Sequence, residues 1–350
     1  MSRILVVGAG YGGAMCAARL AGRGLDVTVV DPSPIFQHRV RFHDIAAGTA
    51  DPDRPLADWL GVPHVQARAV GIRSGAVDLD DGRTLTADHI VVAIGRGFGG
   101  PSGCSGLASV DDARAIAVKA AAGVPLTVVG AGTTGIELAG ALAAHTRVTL
   151  VDRADLSSFS PDVGRVLRRW FTEAGVVHQP HQDGVIDSVA SPSTIWAGGT
   201  RAHCIPVEGA TVLPDGRWLA SPELVLAPGI FGVGDAVAVS HQPWHAGGCA
   251  IALPMGAHVA DQLATGRTTP FDYRWSARLI AFGRRAVLQG TDPRGTPTRL
   301  LAAGRLAGVA KAGLISTVMG TIRLERRTGM RLFQWPRTPA RLRSLPAPTP

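Results

Sequence analysis

The 350 residues are 46% hydrophobic and 18% charged, a composition with room for two or three buried domains that excludes a disordered or fibrous chain. The formal charge of +8 is unevenly placed: residues 294 to 350 hold eleven arginines and lysines against the single acid Glu325, and the remainder holds 24 basic and 26 acidic residues. No aromatic-interleaved basic patch or reader motif accompanies that charge, so nucleic acid is not expected as a partner.

The chain opens MSRILVVGAG, which leaves no n-region, h-region or cleavage site before the first strand, and a cytoplasmic protein is expected. Ile4 to Val7 is a β-branched run bounded by glycine and predicts a buried parallel strand. GAGYGGAM, residues 8 to 15, then opens a helix. Gly8 permits the sharp strand-to-helix turn, Gly10 lets a pyrophosphate approach the backbone, and Gly13 lets the helix pack closely on the strand. The helix start, with Tyr11 and Gly12, offers unpaired N–H groups to phosphate. The second strand, Val27 to Val30, ends in Asp31, where a carboxylate can accept the hydroxyls of an adenosine ribose.

VDLDDGRTLTADHIVVAIGR (77 to 96) predicts a hairpin turning at Asp81 and Gly82, then an apolar strand running to Gly95. From Leu126 the first pattern returns. ILVVGAGYGGAMCAARLAGRGLDVTVVD (4 to 31) aligns with LTVVGAGTTGIELAGALAAHTRVTLVD (126 to 152), differing by one residue in the loop after the helix. Gly130, Gly132 and Gly135 repeat the three glycine roles, Thr133 and Thr134 open the helix, and Asp152 ends the second strand. STIWAGGT (193 to 200), which contains Gly199, is the counterpart of the earlier apolar strand. The repeated βαβ unit implies two bound dinucleotides and an α/β fold of two Rossmann-like domains.

GIFGVGDAVAV (229 to 239) delivers Asp235, beside Gly234, to an expected helix start, where a carboxylate could bind a sugar hydroxyl such as that of a ribityl chain. Cys16, Cys104, Cys204 and Cys249 form no C-x-x-C pair, and Pro243 separates His241 from His245, so no metal is expected. After a Pro/Gly-rich stretch at 291 to 299, the basic segment has a longest uncharged run, Ala312 to Ile322, of 11 residues, against the roughly 20 needed to span a bilayer. It is expected to form helices on a surface, either the protein's own or the anionic inner face of a membrane. WPRTPARLRSLPAPTP is expected to be an extended tail.

The ordered set VGAGYGGAMCAA, IVVAIG, VVGAGTTGIELAG, IFGVGDA and ALPMGAHVAD resembles the two-dinucleotide-binding-domain flavoproteins, within them the type II NADH dehydrogenase-like group that includes the ferroptosis-suppressor-type quinone reductases. The resemblance covers about residues 1 to 328. It implies a discontinuous FAD domain at 1–113 and 231–275, an inserted NAD(P)H domain at 114–230, a C-terminal helical or interface region at 276–335 and a tail at 336–350. It assigns Asp31 to the adenosine ribose of FAD and Asp235 to the ribityl chain, and places Leu253, Pro254 and Met255 near the isoalloxazine. Glu137, at the G-x-E position, would stand close to nicotinamide and flavin as the candidate catalytic residue. Phe36, Arg39, Arg41 and His43 resemble the loop beneath the flavin.

The implied activity is hydride transfer from NADH to FAD N5, then electron transfer to a quinone or other small electrophile. Asp152 favours NADH because an anion there repels a 2′-phosphate, while Arg153 beside it leaves NADPH open. RVRFHDIAAG (39 to 48) lacks the redox cysteine pair of the disulfide reductases, and no F-x-G-x-x-x-H-x-x-x-W-P pattern of the Baeyer–Villiger monooxygenases is present. CAIALPMG (249 to 256) also lacks the glutamines usual in respiratory quinone reductases. The alternatives are an electron-carrier protein such as a ferredoxin as acceptor, a biosynthetic reaction on a natural product, or a redox-responsive NADH/FAD binding protein without turnover. A homodimer is compatible with each.

Overall fold

The computed structural model describes residues 2–50, 54–180, 191–202, 205–243 and 247–337. The strand Arg3–Val7 leads into helix α1 (Tyr11–Gly22) and the strand Asp26–Val30, after which come the short helices α2 (Phe42–Ala46) and α3 (Leu56–Leu60). Helix α4 (Val110–Ala121) precedes the second unit, built from the strand Leu126–Val129, α5 (Thr133–Leu142), the strand Val148–Asp152 and α6 (Pro161–Ala174). Two further helices, α7 (Cys249–Thr265) and α8 (Arg305–Thr328), belong to the last third of the chain.

Each repeat nucleates its own sheet. In the first, Arg3–Val7 pairs in parallel with Asp26–Val30 on one side and His89–Val92 on the other. Ile230–Gly232 returns to pair in parallel with His89–Val92 after the second unit is complete, so the first domain is discontinuous. In the second sheet, Leu126–Val129 lies between Val148–Asp152 and Thr194–Trp196, all parallel. The strand of STIWAGGT thus takes the place that His89–Val92 takes in the first sheet. An antiparallel ribbon of Arg96–Phe98 and Thr200–Ala202 joins the two domains. The expected hairpin forms between Ala76–Leu79 and Thr84–Thr86.

Glycine sets the closest helix contact. A Cβ on Gly256 of α7 would stand 2.0 Å from the Gly12 carbonyl oxygen of α1, and one on Gly12 would stand 3.0 Å from the Ala252 oxygen. The two helices therefore meet backbone to backbone.

The C-terminal region corrects one expectation. Residues expected to be helical from 276 onward begin as an antiparallel sheet of Ala277–Phe282, Arg285–Thr291 and Pro297–Gly304, and only then enter α8. Ile280, Phe282 and Val287 alternate into the core of the second domain, which fixes a two-residue period. Gly140 of α5 carries no side chain because a Cβ there would stand 2.5 Å from the Phe282 ring. Met319 and Ile322 of α8, by contrast, enter the first core. The segment thereby straddles both domains.

A buried ion pair fastens α8. Arg19 of α1 and Glu325 of α8 are 1% and 0% exposed, and the fork is bidentate, with Nε to Oε2 at 2.6 Å and Nη2 to Oε1 at 2.7 Å. Arg19 also donates to Asp261 at 3.2 Å and to the Phe333 carbonyl at 2.9 Å. Removing one partner strands the other in a dry interior. Glu325→Ala is expected to cost about 3–5 kcal/mol, read as a lowered denaturation midpoint together with new proteolytic cleavage around α8. An unchanged midpoint would show that the pair does not hold the helix.

Candidate dinucleotide and redox site

The two glycine-rich loops share one backbone solution. Gly8 and Gly130 have φ of 102° and 103°, a region that L side chains avoid. A Cβ on Gly13 would meet the Gly8 oxygen at 1.9 Å, and one on Gly135 the Gly130 oxygen at 1.8 Å. Gly10 and Gly132 differ in kind: their φ values are −64° and −72°, and a Cβ on either would meet nothing within 4 Å. Their open side is the space that a pyrophosphate would enter.

The helix starts fit that ligand. No side chain caps α1 or α5, whereas Ser109 and Asp112 form a capping box on α4. Among the described residues, the amides of Tyr11, Gly12 and Gly13, and of Thr133, Thr134 and Gly135, find no protein acceptor. Orphan N–H groups at the positive end of a helix dipole suit phosphate. Thr133 and Thr134 are exposed, while Tyr11, Gly12 and Gly13 are buried.

The acids of the two repeats have diverged. Asp31 reaches across its own glycine loop, accepting from Ala9 N at 2.7 Å and from Ser33 N at 2.8 Å. Burial pushes its carboxyl above the usual range, against those two hydrogen bonds. Asp152 turns instead to the loop after its strand, accepting from Leu156 N at 2.6 Å and Ala154 N at 3.3 Å. That loop holds Asp155 and Leu156 at positive φ. The symmetry of the sequence stops at this carboxylate.

Around the first loop, Tyr11 Oη lies 2.6 Å from His38 Nδ1, and its ring meets Phe36 edge-on. Burial raises the Tyr11 hydroxyl well above its ordinary value. Arg39 donates to the Arg96 carbonyl at 2.7 Å and lies within charge–charge reach of Asp235 and Asp31. Asp235 was expected at a helix start directly following its strand. It lies in a turn before the strand Val237–Val239, and its Oδ1 accepts from Gly248 N, at the beginning of α7, at 2.7 Å. The strand and the glycine form a turn instead of a helix start, and the helix begins fourteen residues later.

Glu137 occupies a buried junction. Its Oε1 accepts from Ala281 N at 3.1 Å and from Lys311 Nζ of α8, and its Oε2 faces His43 Nδ1 at 3.5 Å. Burial lowers the His43 imidazole, with Glu137 pulling the other way. Cys249, the first residue of α7, has its thiol pushed up to about 11 by burial and by the charges of Asp235 and Glu137. The second domain, α2 and the C-terminal segment therefore converge on one carboxylate, with the start of α7 within its charge–charge reach. Lys311 was not anticipated as its partner, although it is one of only two lysines beside 33 arginines.

The other expected residues are dispersed. Leu253, Pro254 and Met255 are buried within α7, with Leu253 and Met255 packed in the first core. Gly95, Gly199 and Gly234 have φ of 67°, 132° and 82° at turns after their strands. His241 bonds to the Phe271 carbonyl at 2.8 Å. His245 and Cys204 lie outside the described residues, and Cys16, Cys104 and Cys249 are free thiols.

Residues 2–262 match the family described as pyridine nucleotide-disulphide oxidoreductase. The chain belongs to that family. It is an FAD/NAD oxidoreductase with two dinucleotide-binding domains. A curated relative, the ferredoxin–NAD(+) reductase component of the p-cumate 2,3-dioxygenase system of Pseudomonas putida, is 29% identical over 178 residues, which is 44% of this chain and 44% of that one. The match thus spans less than half the length of the curated relative. Among solved structures, the chain is similar to the sulfide:quinone oxidoreductase of Aquifex aeolicus, with TM-score 0.73 at 15% identity over 93% of this chain and 92% of that one. It is also similar to NDH2 of Plasmodium falciparum in complex with NADH, with TM-score 0.74 at 12% identity over 94% and 100%. At these identities the likeness establishes the fold.

The glycine geometry separates ligand from fold. Gly10→Ala should fold with an unchanged melting temperature yet retain less flavin through purification, whereas Gly13→Ala should lose the fold because its Cβ has no space. Equal flavin occupancy in Gly10→Ala and the parent would remove the pyrophosphate from that loop.

Proposed function

We propose that the protein takes reducing equivalents from NADH and delivers them to a small electrophilic acceptor of the quinone type beside Glu137. The observation that carries the reading is the largely buried Lys311–Glu137 pair where the second domain, α2 and α8 meet. FAD held by the first glycine loop, Asp31 and Asp235 would supply the two-electron chemistry, accepting hydride from the nicotinamide and passing electrons onward. The protein's own residues position and exclude water, and the ammonium of Lys311 holds a proton that a reduced acceptor needs. Arginine cannot perform that task, because a guanidinium stays protonated at any working pH. Glu137 orients Lys311 Nζ, and the Ala281 amide and His43 fix Glu137 in turn.

Asp152 supports NADH over NADPH, since its carboxylate remains at the end of the second strand even though it is bonded to its own loop. A second reading, an electron-carrier protein as acceptor, is favoured by the curated relative's description as a ferredoxin–NAD(+) reductase component. Membrane contact enters through α8. Leu306, Val309 and Leu314 are 87%, 70% and 55% exposed, and Arg305, Arg323 and Arg327 lie on the same helix. Such a surface suits peripheral attachment to anionic lipid. Among the described residues no helix is long and apolar enough to cross a membrane.

Lys311→Arg is expected to keep the pairing with Glu137 and the anaerobic bleaching of the yellow protein by NADH, yet slow turnover with a quinone acceptor about 100-fold, as loss of a general acid does. Full turnover in that variant would remove the proton role. Steady-state efficiency should be higher with NADH than with NADPH, and comparable values would overturn the assignment to Asp152. Leu306→Glu with Val309→Glu should abolish co-sedimentation with phosphatidylglycerol vesicles at an unchanged melting temperature. Retained sedimentation would exclude α8 as the attachment surface.

A further inference from the structure

Lys311, Ile315, Met319 and Arg323 follow one another at four-residue spacing and so form one ridge that winds around α8, each residue neighbouring the next. That ridge runs about 18 Å, from the Glu137 pair to a cavity of about 220 Å³ between α8 and the residues His38, Arg41 and Arg54. Arg41, Arg54 and Arg323 line this cavity together with His38, Ser316 and Met319. Three guanidinium groups face one small space, and those of Arg54 and Arg323 are open to solvent and so to an anion. Asp44 answers only Arg41, and among the described residues neither Arg54 nor Arg323 has an ion-pair partner.

His38 reports the field inside. Its imidazole is lowered to about 4, first by burial and then by the charges of Arg54 and Arg41. It stays neutral at physiological pH and adds no positive charge of its own. Its Nδ1 is engaged with Tyr11 Oη, at the start of α1. The cavity is thus one side chain from the first glycine loop, and it lies at the far end of the ridge that begins at the proton-holding lysine.

We propose that this cavity binds the oxyanion of the small-molecule acceptor, a carboxylate or a phosphate, while the acceptor's apolar body lies along Ile315 and Met319 toward Lys311. Guanidinium forks match the planar carboxylate and the phosphate oxygens, and Ser316 offers a further hydroxyl donor. The proposal rests on the reading of the Glu137 junction as the acceptor site, and it narrows the substrate class from any electrophile to an anionic one.

Calorimetric titration of the holoprotein with inorganic pyrophosphate, with NAD⁺ saturating so that the second glycine loop is filled, tests it without turnover. One binding event is expected, weakened about 10- to 100-fold in Arg54→Ala and in Arg323→Ala, the loss that follows from removing a charged hydrogen bond. Arg83→Ala, in the exposed hairpin and away from the cavity, should bind as the parent does. Absence of binding, or equal affinity in all three variants, would overturn the proposal. So would pyrophosphate remaining silent while phosphatidylglycerol vesicles bind in an Arg54-dependent way, which would assign the cavity to a lipid headgroup. Bleaching by NADH is measured separately, so failure of the redox reading and failure of the oxyanion site are distinguishable.

Discussion

The Glu137 junction depends on a contact that lies about 21 Å along α8 from it. Glu325 is the only acid in the last 57 residues, and it is spent in the dry interior on Arg19 of the first helix. Its Oε1 also accepts the amides of Leu332 and Phe333, so the chain beyond α8 is tied to the same point. With that end fixed, and with the preceding sheet packed on the core of the second domain, the direction of α8 is set. Lys311 is then carried to Glu137 as a consequence of geometry at both ends rather than of local affinity. A buried ion pair is a weak source of net stability, yet a strong source of register.

The duplication explains what the two domains share and where they part. Both glycine loops close against their helices with separations below 2 Å from a notional Cβ, and both leave the middle glycine open. The first helix start is enclosed by protein and its acid bridges its own loop. The second is open and its acid is turned aside. An enclosed site suits a resident cofactor, and an open one suits a nucleotide that arrives and leaves.

Most of the fold was legible because glycine spacing and β-branched runs are local signals. The parallel strands, the strand at Ile230–Gly232 and the hairpin at Asp81 follow from patterns a few residues long, while the return of that strand to the first sheet is implied by the resemblance. The C-terminal sheet was hidden by small and aliphatic residues that fit either period, and its choice was made by Ile280 and Phe282 entering a core formed much earlier in the chain. In the candidate site, Glu137 is singled out by the resemblance alone, through its G-x-E position. Its partner is not, since 174 residues separate Glu137 from Lys311 and no local pattern spans that distance. The signals that existed were of rarity: one lysine among many arginines, and one acid in a basic tail.

The backbone contact between α1 and α7 has a mechanical consequence. Helices that touch at Gly12 and Gly256 cannot slide past one another without atomic collision, so the phosphate-binding end of one and the cysteine-bearing end of the other form a single stiff lever. The second domain is held against that lever at more than one place: by the ribbon of Arg96–Phe98 and Thr200–Ala202, by α2, whose Phe42, Ile45 and Ala46 enter its core, and by the C-terminal sheet.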